Sequence, residues 1–153
     1  MTAKILDTLH FIGTNDRSKS LFENNWPLPF GISYNSYLFT DQKTALLDTI
    51  EYGSDRSYFE EIKEILNGRD LDYLVVLHME PDHAGMIGEL LQRYPHTTVV
   101  TNARAVKLLE IYFPVIDKSR IREIKEGDKL VVLSQFQLVS FLDFAGSAKS
   151  RKE

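Results

Sequence analysis

The chain has 153 residues, of which 43% are hydrophobic and 26% charged, as in an ordinary globular domain. Its net charge is −4 and no stripe of Lys or Arg is present, so nucleic acid and anionic membrane surfaces are excluded as main partners. The absence of cysteine excludes disulfides, thiolate metal sites, iron–sulfur clusters and cysteine nucleophiles. No segment is long and apolar enough to span a bilayer, and we expect a cytoplasmic protein.

The N-terminal third of the chain has the alternating pattern of β-structure. Residues 5–13 predict a strand or hairpin arm that is closed by a turn at 13–16. Two closely spaced prolines in 21–31 exclude a regular helix or central strand, so we expect an ordered loop there. Residues 33–40 and 44–48 read as two strands joined by a polar turn, which predicts a hairpin.

The middle of the chain alternates between short apolar runs and segments with helical periodicity. The predicted elements are a helix at 58–66, a strand at 74–77, a helix at 87–94, a strand at 99–100 and a helix at 103–112. Strands are predicted again at 121–124, 129–133 and 137–142. Strand pairs, then alternating strands and helices, then strands again predict a layered α/β domain with a mixed sheet.

A cluster of potential metal ligands follows the predicted strand at 74–77. Its members are His78, Glu80, Asp82 and His83. Imidazoles and carboxylates together form a mixed nitrogen and oxygen set, which suits iron or manganese at least as well as zinc. The two carboxylates could also bridge or serve two metal ions. Strand ends in α/β sheets are where ligand sites usually lie, so the position supports a metal site.

Pro81 predicts how these side chains are arranged. The residue before a proline avoids the α region, so Glu80 should be extended. Alternate residues of an extended chain point to the same side, which would let His78, Glu80 and Asp82 converge. A helix beginning near residue 84 would then turn the chain and bring His83 to a neighbouring position.

Each of these residues also has a simpler explanation. Asp82 could cap the following helix, Glu80 could be a solvated loop residue, and either histidine of the cluster could be an ordinary surface or packed residue. Taken together, alternating ligand types at the end of a buried strand favour a metal site. Gly85 leaves room for close backbone approach beside it. His10 and His96 lack such support, and we interpret them as a strand residue and a surface residue.

The H-x-E-x-D-H pattern of residues 78–83 resembles the first metal motif of the flavodiiron proteins, a branch of the metallo-β-lactamase superfamily. The hydrolytic branches typically have H-x-H-x-D-H, so Glu80 favours the diiron branch. The resemblance extends over about residues 3–142. Further segments that resemble the family are 21–29, 33–38, 44–49 and 71–76.

This resemblance implies a metallo-β-lactamase-like αββα sandwich. It also implies reduction of dioxygen to water, of nitric oxide to nitrous oxide, or of both, at a non-haem diiron centre. Electrons would come from FMN, which a redox donor such as rubredoxin reduces. Matched residue by residue, His78 and Glu80 would bind one iron, Asp82 would bind the other, and His83 would lie near or on that second iron.

The chain also departs from the family pattern. The family continues with a Pro-x-x-His-Trp-Pro-like segment, whereas no histidine follows His96 here. We therefore expect residues 1–146 to form an incomplete domain, about the first half to two-thirds, with a polar tail at 147–153 and no flavodoxin-like FMN domain. A frameshift or premature stop would produce such a sequence. The fragment should be inactive alone and should associate as a homo-oligomer or with a complementing chain, because an incomplete sheet exposes apolar surface.

Two other functions stay open. A metal-dependent hydrolase of the superfamily would use metal-bound water as its nucleophile, although Glu80 argues against it. A non-catalytic half-domain that assembles with another chain belongs to a different class, and an exposed sheet would favour it.

Overall fold

The computed structural model describes residues 2–22 and 24–132 in full and the backbone of 138–140. The strands are β1 (Ala3–Leu6), β2 (Leu9–Phe11), β3 (Thr14–Asp16), β4 (Leu21–Phe22), β5 (Trp26–Pro27), β6 (Ile32–Tyr34), β7 (Tyr37–Thr40), β8 (Thr44–Leu47), β9 (Tyr73–Val75), β10 (Thr98–Asn102), β11 (Ile121–Ile124), β12 (Lys129–Val131) and β13 (Leu138–Ser140). The helices are α1 (Tyr58–Leu66), α2 (Pro81–Ala84), α3 (Ile87–Arg93) and α4 (Ala103–Tyr112), and Lys118–Arg120 forms a 3-10 turn.

A mixed seven-stranded sheet in the order β1-β2-β7-β8-β9-β10-β11 organises the domain. Each neighbouring pair from β1 through β2 and β7 to β8 is antiparallel, whereas β8 to β11 run parallel. β8 is therefore the strand at which the pairing changes. Short ribbons form between β3 and β6, β4 and β5, and β12 and β13. This architecture confirms the predicted α/β class with a mixed sheet.

The central strands are buried on both faces, as their continuous apolar sequences predict. Successive side chains of a strand point to opposite faces. Leu46, Leu74 and Val99 join the core beneath the helices. Their chain neighbours Ala45, Val75 and Val100 join a second cluster on the opposite face, together with Leu130 and Val132 at the end of β12. The sheet is thus covered by helices on one face and by β12 on the other.

The predicted turn at 13–16 was wrong, because Thr14–Asp16 is β3 and pairs with β6. The chain turns earlier, between β1 and β2. Gly13 is needed for close packing instead of a turn: a Cβ atom there would lie 2.1 Å from the carbonyl oxygen of Tyr34. Position 13 does require glycine, but the reason is a close backbone contact with a segment distant in sequence and not a turn.

The remaining predicted elements are largely confirmed. The three predicted helices and the β7–β8 hairpin are present, although 33–40 is divided between β6 and β7. Helix α1 has Ser57 at its N-cap, and Asp55 accepts hydrogen bonds from Ser57. The helix ends in left-handed residues at Asn67 (φ 47°) and Gly68 (φ 83°). None of the described helices has the length and apolar character to cross a membrane.

Some predictions fall wholly or partly outside the described residues. These are the ends of the predicted strands at 129–133 and 137–142 and the polar tail at 147–153. Of the last predicted strand, the backbone of Leu138–Ser140 is described and pairs with β12 in antiparallel register.

Arg120 ties the end of α3 to the following strands. Its guanidinium donates to the carbonyl oxygens of Thr97 and Tyr94, each at 3.0 Å, and to that of Leu91 at 3.5 Å. These carbonyls lie at and after the C-terminus of the helix, where backbone acceptors lack intrahelical donors. One cation therefore satisfies several acceptors.

Replacing Arg120 with methionine should lower the free energy of unfolding by about 1–3 kcal/mol, because all three carbonyl oxygens lose the guanidinium and only that of Tyr94 retains a described backbone donor, the N–H of Thr97. Urea unfolding of the chain measures this change. Arg122→Met is the matched control, since Arg122 is exposed on β11. Equal losses in the two variants would contradict the assignment.

Candidate metal centre

The ligand cluster begins just beyond β9, where the chain leaves the sheet. Glu80 is extended (φ −68°, ψ 151°), as Pro81 predicted. Helix α2, however, begins at Pro81 and not near residue 84. Proline is favoured at the first helical position, because its φ already suits the helix and the missing N–H is not needed there. Asp82 therefore lies in a helical turn, and the alternation expected for an extended chain does not reach it.

The four predicted ligands lie as two adjacent pairs. His78 Nδ1 is 3.8 Å from Glu80 Oε1, and His83 Nε2 is 3.5 Å from Asp82 Oδ2. The imidazole ring centroids of the two histidines are 5.5 Å apart. Within the described part of the chain, no three His, Asp or Glu side chains form a group that could hold a metal ion. The binding of a metal by these four residues stays a prediction.

Asp48, at the end of β8, organises the segment that carries the ligands. It is 5% exposed and has a left-handed backbone (φ 49°). Oδ1 accepts a hydrogen bond from the N–H of Leu77 at 2.7 Å, and Oδ2 lies 3.0 Å from His83 Nδ1. Because a carboxylate only accepts, Nδ1 of His83 carries the proton of this bond. One buried carboxylate thus fixes both ends of the ligand cluster.

The role of Asp48 was not predicted from the sequence. The run 44–49 was noted only as part of a family resemblance. A possible signal was an aspartate directly after a buried apolar strand, since such a charge needs a partner. The partners lie 29 and 35 positions further along the chain, and no local pattern points to them.

Thr49 and Gly85 complete the attachment of α2 to the sheet. The backbone N–H and the hydroxyl of Thr49 both donate to the carbonyl oxygen of His83, each at 2.8 Å. A Cβ atom on Gly85 would lie 2.4 Å from the backbone nitrogen of Tyr52 and 2.8 Å from the carbonyl oxygen of Ile50. The close backbone approach predicted for Gly85 is confirmed.

The electrostatics of the cluster suit a bound cation. The hydrogen bond to Asp48 raises the pKa of His83, burial opposes this, and the charges of Asp48, Asp82 and Glu80 raise the pKa further. The histidine therefore sits in a negative environment. A metal ion bound at Nε2 would compete with a proton there.

Asp82 supplies the second sign that a cation fits here. Its Oδ1 atom is buried and has no hydrogen-bond partner among the described residues. Leaving a buried acceptor unsatisfied costs about 1–3 kcal/mol, more for a charged group. The contact of Asp48 with His83 is also of the kind that orients metal-binding histidines. The donor set and its surroundings fit an iron ion that takes further ligands from elsewhere.

A small cavity opens beside Asp82. Its volume is about 190 Å³. It is lined by Lys19, Phe22, Asn24, Glu51, Pro81 and Asp82. A wider and more open cleft of about 630 Å³ lies against Gly85 and α3. Of these two cavities, the small one is lined by a predicted metal ligand, Asp82.

Comparison with known proteins places the chain in a family. The model of the ODP family beta lactamase matches residues 32–147. Putative diflavin flavoprotein A 1 of Thermosynechococcus vestitus is 35% identical over 117 residues, which are 75% of this chain and 20% of that protein. The anaerobic nitric oxide reductase flavorubredoxin of Salmonella typhi is 27% identical, over 86% of this chain and 29% of that protein.

Solved structures agree with the sequence comparisons. Rubredoxin oxygen:oxidoreductase from Desulfovibrio gigas superposes with a TM-score of 0.80 at 29% identity, over 87% of this chain and 33% of that one. The flavodiiron protein of Giardia intestinalis shares the fold, with a TM-score of 0.78 at 19% identity over 88% of this chain and 32% of that one.

The chain belongs to the ODP family of beta-lactamase-like domains, and its relatives are the flavodiiron proteins and diflavin flavoproteins. The predicted family and the metallo-β-lactamase-like fold are therefore confirmed. The chain spans between about a fifth and a third of the length of the relatives described above.

Replacing Asp48 should weaken the attachment of the ligand segment. Asp48→Asn keeps a residue that tolerates the left-handed backbone but loses the charge beside His83, and should cost about 1–2 kcal/mol of unfolding free energy. Asp48→Ala also loses the acceptor for Leu77 and should cost more. Urea unfolding of the metal-free chain measures both, with Glu64→Gln on the exposed face of α1 as control. An alanine variant as stable as the control would refute this role.

Gly85→Ala should destabilise the chain by about 1–3 kcal/mol, because the new methyl group meets the backbone around Ile50 and Tyr52. Thermal unfolding of the metal-free protein reports the loss. Gly53→Ala provides a comparison, since a Cβ atom there meets nothing within 4 Å and only its positive φ opposes the change. If Gly85→Ala unfolds no earlier than Gly53→Ala, the backbone contact is not restrictive.

Proposed function

We propose that this chain supplies iron ligands for a flavodiiron-type oxidoreductase, in which His78 and Glu80 bind one iron, Asp82 binds the other and His83 lies near or on the second. The main support is the buried, unpartnered Oδ1 atom of Asp82 beside a histidine that Asp48 orients. When bound, iron would supply the redox chemistry that reduces dioxygen to water, nitric oxide to nitrous oxide, or both.

The names of the relatives guide the choice of substrate and donor. One relative is named an anaerobic nitric oxide reductase flavorubredoxin, and another a rubredoxin oxygen:oxidoreductase. We extend nitric oxide, dioxygen and a rubredoxin-like donor to this chain on that basis. The diflavin flavoprotein relatives support FMN as the source of electrons, held by another domain or chain.

The residues of this chain have separable roles in that proposal. Asp48 holds the Nδ1 proton of His83, which leaves Nε2 available to a metal ion. Thr49 donates to the backbone carbonyl of the same histidine, which attaches its backbone to the chain that follows β8. Asp82 presents an oxygen that lacks a donor, and such an oxygen can bind a cation without breaking an existing bond.

These residues alone should not turn over substrate. The described residues gather two pairs of ligands and no group of three, so further ligands must complete the iron sites. A second copy or a complementing chain could supply them. Exposed Ile5 and Leu6 on the edge strand β1 offer one surface for such association. No observation favours the hydrolase alternative, because Glu80 stands where the hydrolytic branches typically have histidine.

Anaerobic titration with ferrous iron tests the proposal. The chain should bind iron, and His78→Ala and Asp82→Asn should each weaken binding at least about tenfold, because each removes a direct ligand. Isothermal calorimetry gives the affinities, and elemental analysis after gel filtration gives the iron content. His96→Ala is the matched control, since His96 is exposed and far along the chain from the cluster.

Unchanged iron binding in both ligand variants would overturn the assignment. Preferential binding of zinc together with ester hydrolysis would instead support the hydrolase.

A further inference from the structure

A second polar network also borders the small cavity, through Lys19 and Glu51. Lys19 forms an ion pair with Glu51, and the hydroxyl of Tyr34 donates to the same carboxylate. Burial and the hydrogen bond to Glu51 raise the pKa of Tyr34, so its hydroxyl remains a donor. The Lys19 ammonium also lies 5.6 Å from the ring centroid of Phe22 and 5.8 Å from that of Tyr34.

This network joins three segments that are distant in sequence. Tyr34 belongs to β6. Glu51 lies in the loop after β8, shortly after Asp48 and Thr49, the residues that bind the ligand segment. Lys19 lies near the start of the segment formed by residues 18–22 and 24–31, which is here called the Trp26 segment. The side chains of Lys19 and Glu51 are only 22% and 27% exposed, so solvent screens their attraction less than on an open surface.

The other described hydrogen bonds of the Trp26 segment lie within it or at its start. Asp16 accepts hydrogen bonds from the backbone N–H groups of Ser18 and Lys19 at its start. Within the segment, the N–H of Leu28 donates to the carbonyl oxygen of Ser20 at 2.8 Å. These contacts are local. The ion pair is the contact that connects the segment to the loop after β8.

The Trp26 segment lines the 190 Å³ cavity with Lys19, Phe22 and Asn24, and α2 lines it with Pro81 and Asp82. Sites for drug-sized ligands usually have about 300–1,000 Å³, so this cavity excludes molecules of that size. Its width depends on where the segment is held. A contact that fixes the segment therefore controls what can reach Asp82.

We propose that the Lys19–Glu51 ion pair is a positioning and specificity-determining contact, which holds the Trp26 segment closed over the cavity beside Asp82 and admits only molecules of a few non-hydrogen atoms. The link to a diatomic substrate rests on the proposed function. The closure itself depends on the ion pair and not on iron, so it can be measured on the metal-free chain.

Amide hydrogen exchange tests the closure. Lys19→Met and Glu51→Gln should each accelerate exchange of the Leu28 amide about fivefold, because its acceptor, the carbonyl of Ser20, follows Lys19 directly and is less firmly held once the ion pair is lost. Exchange of Leu90 in α3 should stay unchanged. Lys19→Arg should retain slow exchange at Leu28, since the charge is kept. Lys43→Met is the matched control, because it removes the Lys43–Asp72 ion pair elsewhere on the surface.

Carbodiimide-coupled labelling of carboxylates tests access to the cavity. With glycine ethyl ester as nucleophile, peptide mass spectrometry should show about fivefold faster labelling of Asp82 in Lys19→Met than in the unmodified chain. Glu89 is the internal reference, because it is partly exposed on α3 outside this cavity. Lys43→Met should label Asp82 at the original rate.

Unchanged exchange at Leu28 in both variants, or unchanged labelling of Asp82 in Lys19→Met, would overturn the proposal. Acceleration that includes Leu90 would also overturn it, since the pair would then act on global stability. Because no metal is added, a negative result here leaves the ferrous iron titration unaffected, and the two proposals can fail separately.

Discussion

The fold around the candidate metal centre depends on the buried carboxylate of Asp48. Burying such a group is costly unless hydrogen-bond donors surround it, and here they come from Leu77 and His83. The carbonyl oxygen of the same residue accepts from Ser36 Oγ, which in turn contacts the hydroxyl of Tyr58 at 2.9 Å. One residue thus links β8, the ligand segment, the chain before β7 and the first helix.

Topology explains why this link is possible. β8 and β9 are parallel neighbours, so their carboxyl ends meet at the same edge of the sheet. Asp48 follows β8, and the ligand segment follows β9, which makes residues 29 to 35 positions apart direct neighbours. β8 is also where antiparallel pairing changes to parallel pairing. The candidate site therefore lies at the carboxyl ends of two adjacent parallel strands, the edge of α/β sheets at which ligands commonly bind.

The sequence predicted what local patterns encode. Helical periodicity located α1, α3 and α4, and the extended conformation of Glu80 followed from Pro81. Gly85 was correctly read as a point of close approach. The errors have a common cause in contacts between distant segments. Gly13 was read as a turn because its neighbour Tyr34 could not be known, and Asp48 was overlooked because its partners come from the next strand. The network of Lys19, Glu51 and Tyr34 was not predicted for the same reason.

Asp82 connects the two networks and explains why they should act together. On one side, Asp48 orients His83, whose Nε2 faces Asp82 at 3.5 Å. On the other side, the Trp26 segment and Glu51 enclose the cavity that Asp82 lines. A buried carboxylate oxygen without a donor reduces the stability of the fold. Folded proteins keep such groups mainly where function requires them. The fold thus positions His83 and the cavity lining beside Asp82 without a cation, so a cation at this oxygen would meet neighbours that are already in place.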